Sequence, residues 1–295
     1  MTSLFIGVGK MGLPMARHLS HAGHALCVTD LDGVRLQLAR EAGLPVSTDV
    51  AADLGQAPWV FSSLPHDQAL LAVAEQVAAQ ARAGTVWIDT STVSMAASAQ
   101  AAQRCQAAGI RYLRVTVSGN NHMAEAAQLT VLASGARADY DALLPALRCW
   151  GPHHFYLGDA EQARLMKLVI NLMIAQTSAM LAEAMTLGRQ GGLDWQTLWQ
   201  VVGASAVASP IMKAKSQQLG RPLGERDFSP TFTVHQMLKD IGLIMQAGAD
   251  LHVPLTQTSQ TQQWMQAAIA QGDGELDYAA IIRVVERSAG LTGEA

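Results

Sequence analysis

The stretch SLFIGVGKMG, residues 3–12, sets the fold expected for the amino-terminal half of the chain. Its first four residues predict a short buried strand, and residues 13–19 predict a helix that follows the loop directly. Three glycines lie between them in the pattern Gly-x-Gly-x-x-Gly, which permits a tight turn and a close approach of the backbone to a pyrophosphate. The alternative is a glycine-rich turn without a ligand. We expect this loop to bind a dinucleotide through Gly7, Gly9, Lys10, Met11 and Gly12.

A carboxylate lies at the end of the second predicted strand, 18 residues after Gly12. At that spacing Asp30 can accept hydrogen bonds from both hydroxyls of an adenosine ribose. A phosphate on the same ribose would be repelled by Asp30 and Asp32, which disfavours NADP. Arg35 opposes this preference, because its guanidinium would offset part of the repulsion. We therefore expect NAD as the cofactor, with NADP less favoured.

Short β-branched runs alternate with alanine-rich helical stretches in the first half of the chain, which predicts a parallel sheet with helices on both faces. The strands are predicted at Ser3–Ile6, Ala25–Val28, Trp59–Ser62, Thr85–Ile88, Tyr112–Val115, Leu129–Ala133 and Phe155–Leu157. After Gly158 the strand signals stop, and helices of period 3.6 follow. The sequence thus predicts an α/β protein, with an N-terminal Rossmann-type doubly wound sheet in residues 1–160 and an all-α C-terminal domain in residues 161–295.

Three further segments are predicted at the carboxyl ends of strands, where doubly wound sheets bind their ligands. Leu64 and Pro65 follow one strand, and the Asp-Thr-Ser-Thr stretch of residues 89–92 follows the next. Backbone and hydroxyl groups of both segments are expected to line the cofactor. For Asp89 and Thr92, capping of the following helix explains the spacing equally well. A hydroxyl and backbone amides suited to a carboxylate follow another strand, at Ser118, Gly119 and Asn120.

A lysine lies within the most apolar stretch of the chain, residues 165–187. Lys167 and Asn171 are four residues apart and share one face of the predicted helix. Burying an ammonium group without a partner is costly, and desolvation would lower the pKa of Lys167 toward the range useful for proton transfer. The alternative is a lysine side chain that extends to the surface.

The same apolar stretch is predicted to be a buried helix, not a membrane span, because polar residues interrupt it at Lys167, Asn171, Gln176 and Glu183. Its apolar residues point in nearly all directions, so other helices or another subunit should cover it. Four methionines of this helix are expected to fill the core, namely Met166, Met173, Met180 and Met185.

The composition excludes several other classes of protein. Of 295 residues 49% are hydrophobic, the formal net charge is −4, and no basic run occurs, so neither nucleic acid nor a membrane is expected as a partner. Three widely spaced cysteines and a start without a secretory signal predict reduced thiols and a cytoplasmic location. No metal site is expected, because no cysteine or acid completes a ligand set with His18, His21 and His24.

Taken together, these motifs resemble the β-hydroxyacid dehydrogenase family, which includes 3-hydroxyisobutyrate dehydrogenases and tartronate semialdehyde reductases. The similarity extends over essentially the whole chain. The matching pieces are IGVGKMGLPMARHL at residues 6–19, SLP at 63–65, DTST at 89–92, SG at 118–119, KLVIN at 167–171 and LKDIGL at 238–243.

The resemblance implies a role for each matching residue. Lys167 would be the general acid/base, Asn171 would orient the substrate, and Ser118 with Gly119 would hold its carboxylate. The cofactor would contact Leu64, Thr92 and Lys239. The family also implies a homodimer or homotetramer, with the active site in the cleft between the two domains.

The chain departs from the family pattern around the substrate turn. An aspartate, an alanine and a proline usually precede the Val-Ser-Gly of residues 117–119, and a glycine follows; Arg114, Val115, Thr116 and Asn120 stand there instead. Met123 and Ala127 replace two further glycines. Side chains at Asn120, Asn121 and His122 would narrow or polarise the pocket mouth, so we expect the substrate to differ from 3-hydroxyisobutyrate.

The sequence therefore predicts an NAD-dependent oxidoreductase that transfers a hydride between nicotinamide and a small 3-hydroxy acid or its semialdehyde. Two alternatives are an imine or amine reductase with the same fold, and a non-catalytic dinucleotide-binding protein. The presence of Lys167 together with Asn171 favours the dehydrogenase over both.

Overall fold

A computed structural model describes residues 1–291 of the chain. It divides into two compact units, Met1–Leu168 and the residues from Val169 onward. This division falls inside one long helix. The predicted domain boundary between residues 160 and 161 concerns which parts of the chain fold independently, and it stays a prediction.

The first unit is built on one seven-stranded sheet, formed by β1 Ser3–Ile6, β2 Leu26–Thr29, β3 Trp59–Ser62, β4 Val86–Asp89, β5 Arg111–Ser118, β6 Thr130–Ser134 and β7 His153–Tyr156. The strand order is β2-β1-β3-β4-β5-β6-β7. Neighbouring strands are parallel, except that β6 runs antiparallel to β5. The predicted Rossmann-type sheet is confirmed, and the antiparallel pair corrects the expectation of a fully parallel one.

Both faces of the sheet are buried. Adjacent residues of a strand point to opposite sides of the sheet, and each side has its own hydrophobic core. Phe5, Phe61 and Ile88 pack in one hydrophobic core, whereas Leu4, Val60 and Trp87 pack in the other. The helices of this unit are α1 Gly12–His21, α2 Gly33–Glu41, α3 Val50–Gln56, α4 Asp67–Gln80, α5 Met95–Ala107, α6 Asn121–Glu125 and α7 Arg137–Leu147.

The register of the sheet brings the candidate cofactor loops together. Ile6 pairs with Ser62, and Ser62 pairs with Asp89. The loops after β1, β3 and β4 therefore start side by side at one edge. Strand β5 is longer than predicted, because residues 111–114 pair with β4 and residues 114–118 pair with β6.

The second unit is helical, as predicted. It contains α9 Trp195–Ala204, α10 Pro210–Leu219, α11 Val234–Asp250, α12 Thr256–Ala270 and α13 Ile281–Ser288, and α8 Gln162–Gln190 enters it from the first unit. Its core includes Leu181 and Met185 of α8, Trp195 of α9 and Ile241 of α11.

Helix α8 is the one helix among residues 1–291 that is long and apolar enough to cross a membrane, by length and composition alone. Two of its polar side chains are hydrogen bonded inside the helical unit: Asn171 Nδ2 donates to Asp240, and Gln176 Nε2 donates to Thr258. This bonding accounts for polar residues within the apolar run.

The predicted core role of the α8 methionines is correct only for Met185, which is 1% exposed. Met166, Met173 and Met180 are 38%, 63% and 46% exposed, and Leu187 is 76% exposed. These four residues repeat every seven positions, so they form one stripe along the helix. The buried positions Ala175 and Ala182 lie outside that stripe.

Candidate active site

The glycine-rich loop links the end of β1 to the start of α1. Gly7 N donates to Thr29 O at 2.8 Å, and Leu13 N donates to Gly9 O at 3.0 Å. A Cβ at Gly12 would overlap the carbonyl oxygen of Gly7, so the sharp turn requires glycine at this position. Gly9, Lys10 and Met11 lie between Gly7 and Gly12, the two residues whose backbones approach each other. The loop thus has the shape that the motif predicts, with the N-terminal amides of α1 directly behind it.

Asp30 lies next to this loop and is held in a single orientation. Its Oδ2 accepts from Val8 N at 2.8 Å, and its Oδ1 accepts from Asp32 N at 3.0 Å. Arg35 Nη1 is 3.7 Å from Asp30 Oδ2, and Arg35 Nε is 3.6 Å from Asp32 Oδ2. The guanidinium near the site is therefore shared between two carboxylates, which reduces its capacity to balance a further negative group.

The segments after β3 and β4 are bonded to each other. Leu64 N donates to Ser91 Oγ at 2.8 Å, and Ser91 Oγ donates to Asp89 Oδ1 at 2.6 Å. Pro65 is exposed beside Leu64, and Thr92 is half-buried. These contacts hold Leu64, Pro65 and Thr92 on the same edge as the glycine loop.

Helix capping, the alternative considered for Asp89, is wrong. The N-cap of α5 is Ser94, whose Oγ accepts from Ala97 N at 3.0 Å. Asp89 is fully buried, and its Oδ2 forms an ion pair with the equally buried Arg164 on α8. Sequence analysis missed Arg164, which lies just before the apolar stretch and one turn before Lys167. No signal in the neighbouring sequence pointed to this pair, because Arg164 and Asp89 are 75 residues apart in the chain.

Lys167 lies half-buried on the second turn of α8, within the first compact unit. Asn171 follows one turn later and is 5% exposed. The predicted sharing of one helix face by the two residues holds, since both belong to the same continuous α-helix.

The turn of residues 118–120, which is expected to hold the substrate carboxylate, begins inside a strand. Ser118 is the last residue of β5 and pairs with Thr130 of β6, so it does not follow the strand as predicted. Gly119 has φ +141°, and a Cβ there would lie 2.7 Å from Leu129 Cδ2. Asn120 Oδ1 accepts from Met123 N at 3.0 Å and caps α6. The turn is therefore rigidly defined on both sides of Gly119.

His122 is exposed on α6, and α6 is attached to α1 by a different histidine. His18 Nε2 lies 2.9 Å from Ala124 O and 3.1 Å from Glu125 O. Because both carbonyls are acceptors, the Nε2 of His18 must carry the proton. This contact gives His18 a structural role.

Two departures from the family pattern have clear structural outcomes. Arg114 is buried in β5, forms an ion pair with Glu161, and stacks over the Tyr112 ring. Ala127 adopts φ +53°, a left-handed conformation that glycine adopts at lower cost. The chain thus keeps a glycine-like backbone at position 127 while carrying a methyl group.

A second polar cluster lies in the helical unit. Asn171 Nδ2 donates to Asp240 Oδ2 at 2.6 Å, and Lys239 Nζ is 2.7 Å from Asp240 Oδ1. Asp240 is 2% exposed. One buried carboxylate therefore orients two residues to which the family resemblance assigns roles. Asp240, although part of the quoted LKDIGL motif, was not among the predicted site residues.

The cysteines do not provide a nucleophile. Burial raises the pKa of the Cys27, Cys105 and Cys149 thiols to about 12, so all three are protonated at neutral pH. No group of three or more histidine, cysteine or acidic side chains suited to a metal ion occurs within residues 1–291.

Two family models match the chain. Residues 3–158 match the NAD binding domain of 6-phosphogluconate dehydrogenase, and residues 162–285 match the NAD-binding model of NADP-dependent 3-hydroxyisobutyrate dehydrogenase. Both models concern nicotinamide cofactors.

Individual relatives match over nearly their full lengths. The 2-(hydroxymethyl)glutarate dehydrogenase of Eubacterium barkeri is 31% identical over 98% of this chain and 96% of its own length. Glyoxylate/succinic semialdehyde reductase 1 of Arabidopsis thaliana is 27% identical over 96% of this chain and 98% of its own. A structure of Mycobacterium tuberculosis 3-hydroxyisobutyrate dehydrogenase with L-serine superposes with a TM-score of 0.88 at 26% identity, covering 96% of this chain and 98% of that one.

Proposed function

The chain belongs to the β-hydroxyacid dehydrogenase family, and we propose that it transfers a hydride between NAD and a small 3-hydroxy acid or its semialdehyde. The observation that carries the proposal is the assembly at one edge of the sheet. The glycine loop, Asp30 and the segments after β3 and β4 lie there, and Arg164 attaches the start of α8, with Lys167, to the same edge.

The residues at this edge fit a dinucleotide. The tight turn that only glycine permits at Gly12 brings the positive N-terminal end of α1 next to the loop, where it favours the negative charge of a pyrophosphate. Asp30 accepts two backbone amides and has lone pairs left for ribose hydroxyls. When bound, NAD accepts a hydride from the carbinol carbon.

Lys167 transfers the proton that accompanies the hydride. In the oxidative direction its neutral amine takes the hydroxyl proton as the carbinol carbon loses its hydride, and a carbonyl group forms. In the reductive direction the ammonium of Lys167 returns that proton to the carbonyl oxygen. The Ser118 hydroxyl and the Gly119 amide hold the substrate carboxylate, and Asn171 orients the substrate.

Asp30 also supports the choice of NAD over NADP. Its carboxylate is fixed by Val8 N and Asp32 N, so it cannot move away from an added phosphate without losing both bonds. Arg35 already serves both Asp30 and Asp32. Leu64, Pro65, Thr92 and Lys239 complete the proposed cofactor contacts.

The substrate that we propose is a 3-hydroxy acid other than 3-hydroxyisobutyrate. Asn120 replaces a glycine of the family pattern, and the side chains of Asn121 and His122 follow it, so three polar side chains lie in sequence at the turn. The 31% identical relative is named for 2-(hydroxymethyl)glutarate, a hydroxy acid with two carboxylates. Polar groups beside the turn after Ser118 suit a substrate with a second polar end.

We also propose that the chain forms a homo-oligomer in the cytoplasm. The support is the stripe of Met166, Met173, Met180 and Leu187 on α8, which exposes large apolar side chains at seven-residue spacing. Such a seam is self-complementary, so a second copy of the chain can cover it by packing α8 against α8. The free, unreactive thiols are consistent with a reducing compartment.

The test is NADH formation by the purified protein with a panel of 2-(hydroxymethyl)glutarate, 3-hydroxypropionate, L-serine and 3-hydroxyisobutyrate. Lys167→Ala should lower kcat by about 10²- to 10⁴-fold while NAD binding persists. Lys213→Ala, an exposed lysine on α10, is the matched control and should keep wild-type kcat. Turnover retained in Lys167→Ala would refute the assignment of the acid/base. NAD binding without turnover of any acid, with reduction of a cyclic imine, would indicate an imine reductase instead.

A further inference from the structure

Arg164 is a fully buried arginine that makes contacts with three separate segments of the first unit. Its Nη2 forms an ion pair with Asp89 at the end of β4. Its Nη1 donates to Ser91 O at 2.5 Å, its Nε donates to Ser98 Oγ at 3.2 Å, and its Nη2 also donates to Tyr112 Oη at 2.9 Å. Four of the five N–H groups of the guanidinium therefore have acceptors, which lie in β4, the loop after β4, α5 and β5.

The partner Asp89 continues this network toward the cofactor segments. Its Oδ1 accepts from Ser62 Oγ at 2.5 Å and from Ser91 Oγ at 2.6 Å. Ser91 Oγ in turn accepts from Leu64 N at 2.8 Å. One chain of bonds thus runs from Leu64, a proposed cofactor contact, through Asp89 to Arg164 on α8.

Each end of this chain is also held by bonds that do not involve Arg164. The loop after β4 keeps the Ser62–Asp89 and Leu64–Ser91 bonds. The start of α8 keeps two bonds of Ala163, whose O accepts from Thr116 Oγ1 and whose N donates to Ser134 Oγ. What Arg164 adds is the connection between the loop and the helix.

Tyr112 and Arg164 both keep their protons at neutral pH. Burial raises the pKa of the Tyr112 hydroxyl far above neutrality, and a guanidinium stays protonated throughout the working range. The charges of Arg164 and Asp89 offset each other. A buried pair of this kind fixes geometry, since losing either partner leaves an uncompensated charge.

We propose that Arg164 is a positioning residue that fixes the turn of α8 carrying Lys167 to the cofactor loop of residues 89–92. This inference rests on the proposed function, in which Lys167 transfers the proton while the loop contacts NAD. Lys167 is three residues from Arg164 and therefore lies on the adjacent helical turn. The Arg164–Asp89 ion pair thereby sets the separation between Lys167 and the loop of residues 89–92, which would hold the cofactor.

The test compares Arg164→Met, Arg164→Lys and Asp89→Asn with the wild type, using the panel acid of highest kcat/KM and its analogue deuterated at the carbinol carbon. Arg164→Met should lower kcat by about 100-fold, the effect of a misplacement of about 1 Å. The KM for the acid and the Kd for NAD should stay within about threefold, because the loop keeps its other bonds. The primary isotope effect on kcat should rise as the chemical step becomes limiting. Arg164→Lys keeps the charge and should recover most of kcat.

The matched control is Asp277→Asn, which breaks the buried Lys215–Asp277 pair of the helical unit. It should lower Tm without changing the isotope effect. The proposal is overturned if Arg164→Met lowers Tm but leaves kcat and the isotope effect at wild-type values, because Arg164 is then only structural. Where Arg164→Met does not fold, the same result in Asp89→Asn overturns it.

Hydrogen exchange separates this proposal from the proposed function, because it needs no turnover. NAD alone should slow amide exchange in residues 89–92 and 163–168 of the wild type, and only in residues 89–92 of Arg164→Met. Protection of both segments in Arg164→Met would overturn the positioning role. Activity retained in Lys167→Ala would instead refute the acid/base assignment, whatever the exchange data show.

Discussion

Replacing Asp240 with alanine removes a carboxylate shared by Asn171 and Lys239. Asn171 is 5% exposed, and the loss of its hydrogen bond to a charged acceptor costs about 1.5–3 kcal/mol. The Lys239 side chain is 37% exposed, so solvent screening limits that ion pair to about 0–1 kcal/mol. Together the two contacts predict that Asp240→Ala lowers the free energy of unfolding by about 1.5–4 kcal/mol.

Asp240→Asn separates the two contributions. Asn171 and Lys239 use different oxygens of Asp240, and asparagine replaces one of these oxygens with an NH2 group, which cannot accept. The more deeply buried Asn171 loses more without an acceptor, so the remaining oxygen should face Asn171. This variant should therefore keep the Asn171 bond, lose the Lys239 pair, and cost less than about 1 kcal/mol.

Urea denaturation followed by tryptophan fluorescence measures the free energy of unfolding of both variants. The value of kcat/KM should also fall further in Asp240→Ala than in Asp240→Asn. Asp250→Asn, at the exposed end of the same helix, is the control and should lie within about 0.5 kcal/mol of wild type. Equal costs for the alanine and asparagine variants would show that the division between a buried bond and a screened pair is wrong.

Three other predictions concern the cofactor, the assembly and the backbone. Asp30→Ser should raise the kcat/KM for NADP relative to that for NAD by about tenfold or more, since the removal of one repulsive charge is worth at least about 1.4 kcal/mol; an unchanged ratio in steady-state kinetics would contradict the role of Asp30. Met173→Glu places a charge in the exposed α8 stripe and should shift the mass measured by light scattering toward the monomer; an unaltered oligomer would place the interface elsewhere. Ala127→Gly should raise the urea midpoint by an amount equivalent to about 0.5–1 kcal/mol, because the left-handed conformation at φ +53° costs alanine about 1–2 kcal/mol, while glycine loses about 0.5–1 kcal/mol more conformational entropy on folding; a lower midpoint would mean that Ala127 is not strained.

Much of the geometry of the candidate cofactor site could be predicted because its signals are local. The strand, the glycine turn and the helix around Gly12 are contiguous, and each is encoded by backbone sterics or by periodicity. Asp30 follows at a fixed spacing because the length of one βαβ unit sets it. The edge that gathers Leu64 and Thr92 also follows from topology, since parallel strands end on the same side of a sheet.

The polar partners of the site could not be predicted. Arg164 looked like an ordinary residue before an apolar helix, and the spacing of Asp89 fitted a cofactor contact and a helix cap equally well. They meet across 75 residues of chain. Likewise, the methionines of α8 fitted a core pattern, and only the packing of the surrounding helices shows which face of α8 is covered.

The sequence by itself determined the succession of strands and helices, the order of the sheet domain and the helical domain, and the glycine turn at residues 7–12. These features depend on neighbours within a few turns of chain. The tertiary structure alone decided which buried polar and charged groups are paired. Asp89 with Arg164, and Asp240 with Asn171 across 69 residues, are brought together by the register of the sheet and by the packing of α8 and α11. Burial makes such pairs matter: in a medium of low polarity a charge needs its partner, and which groups become buried is a property of the assembled fold.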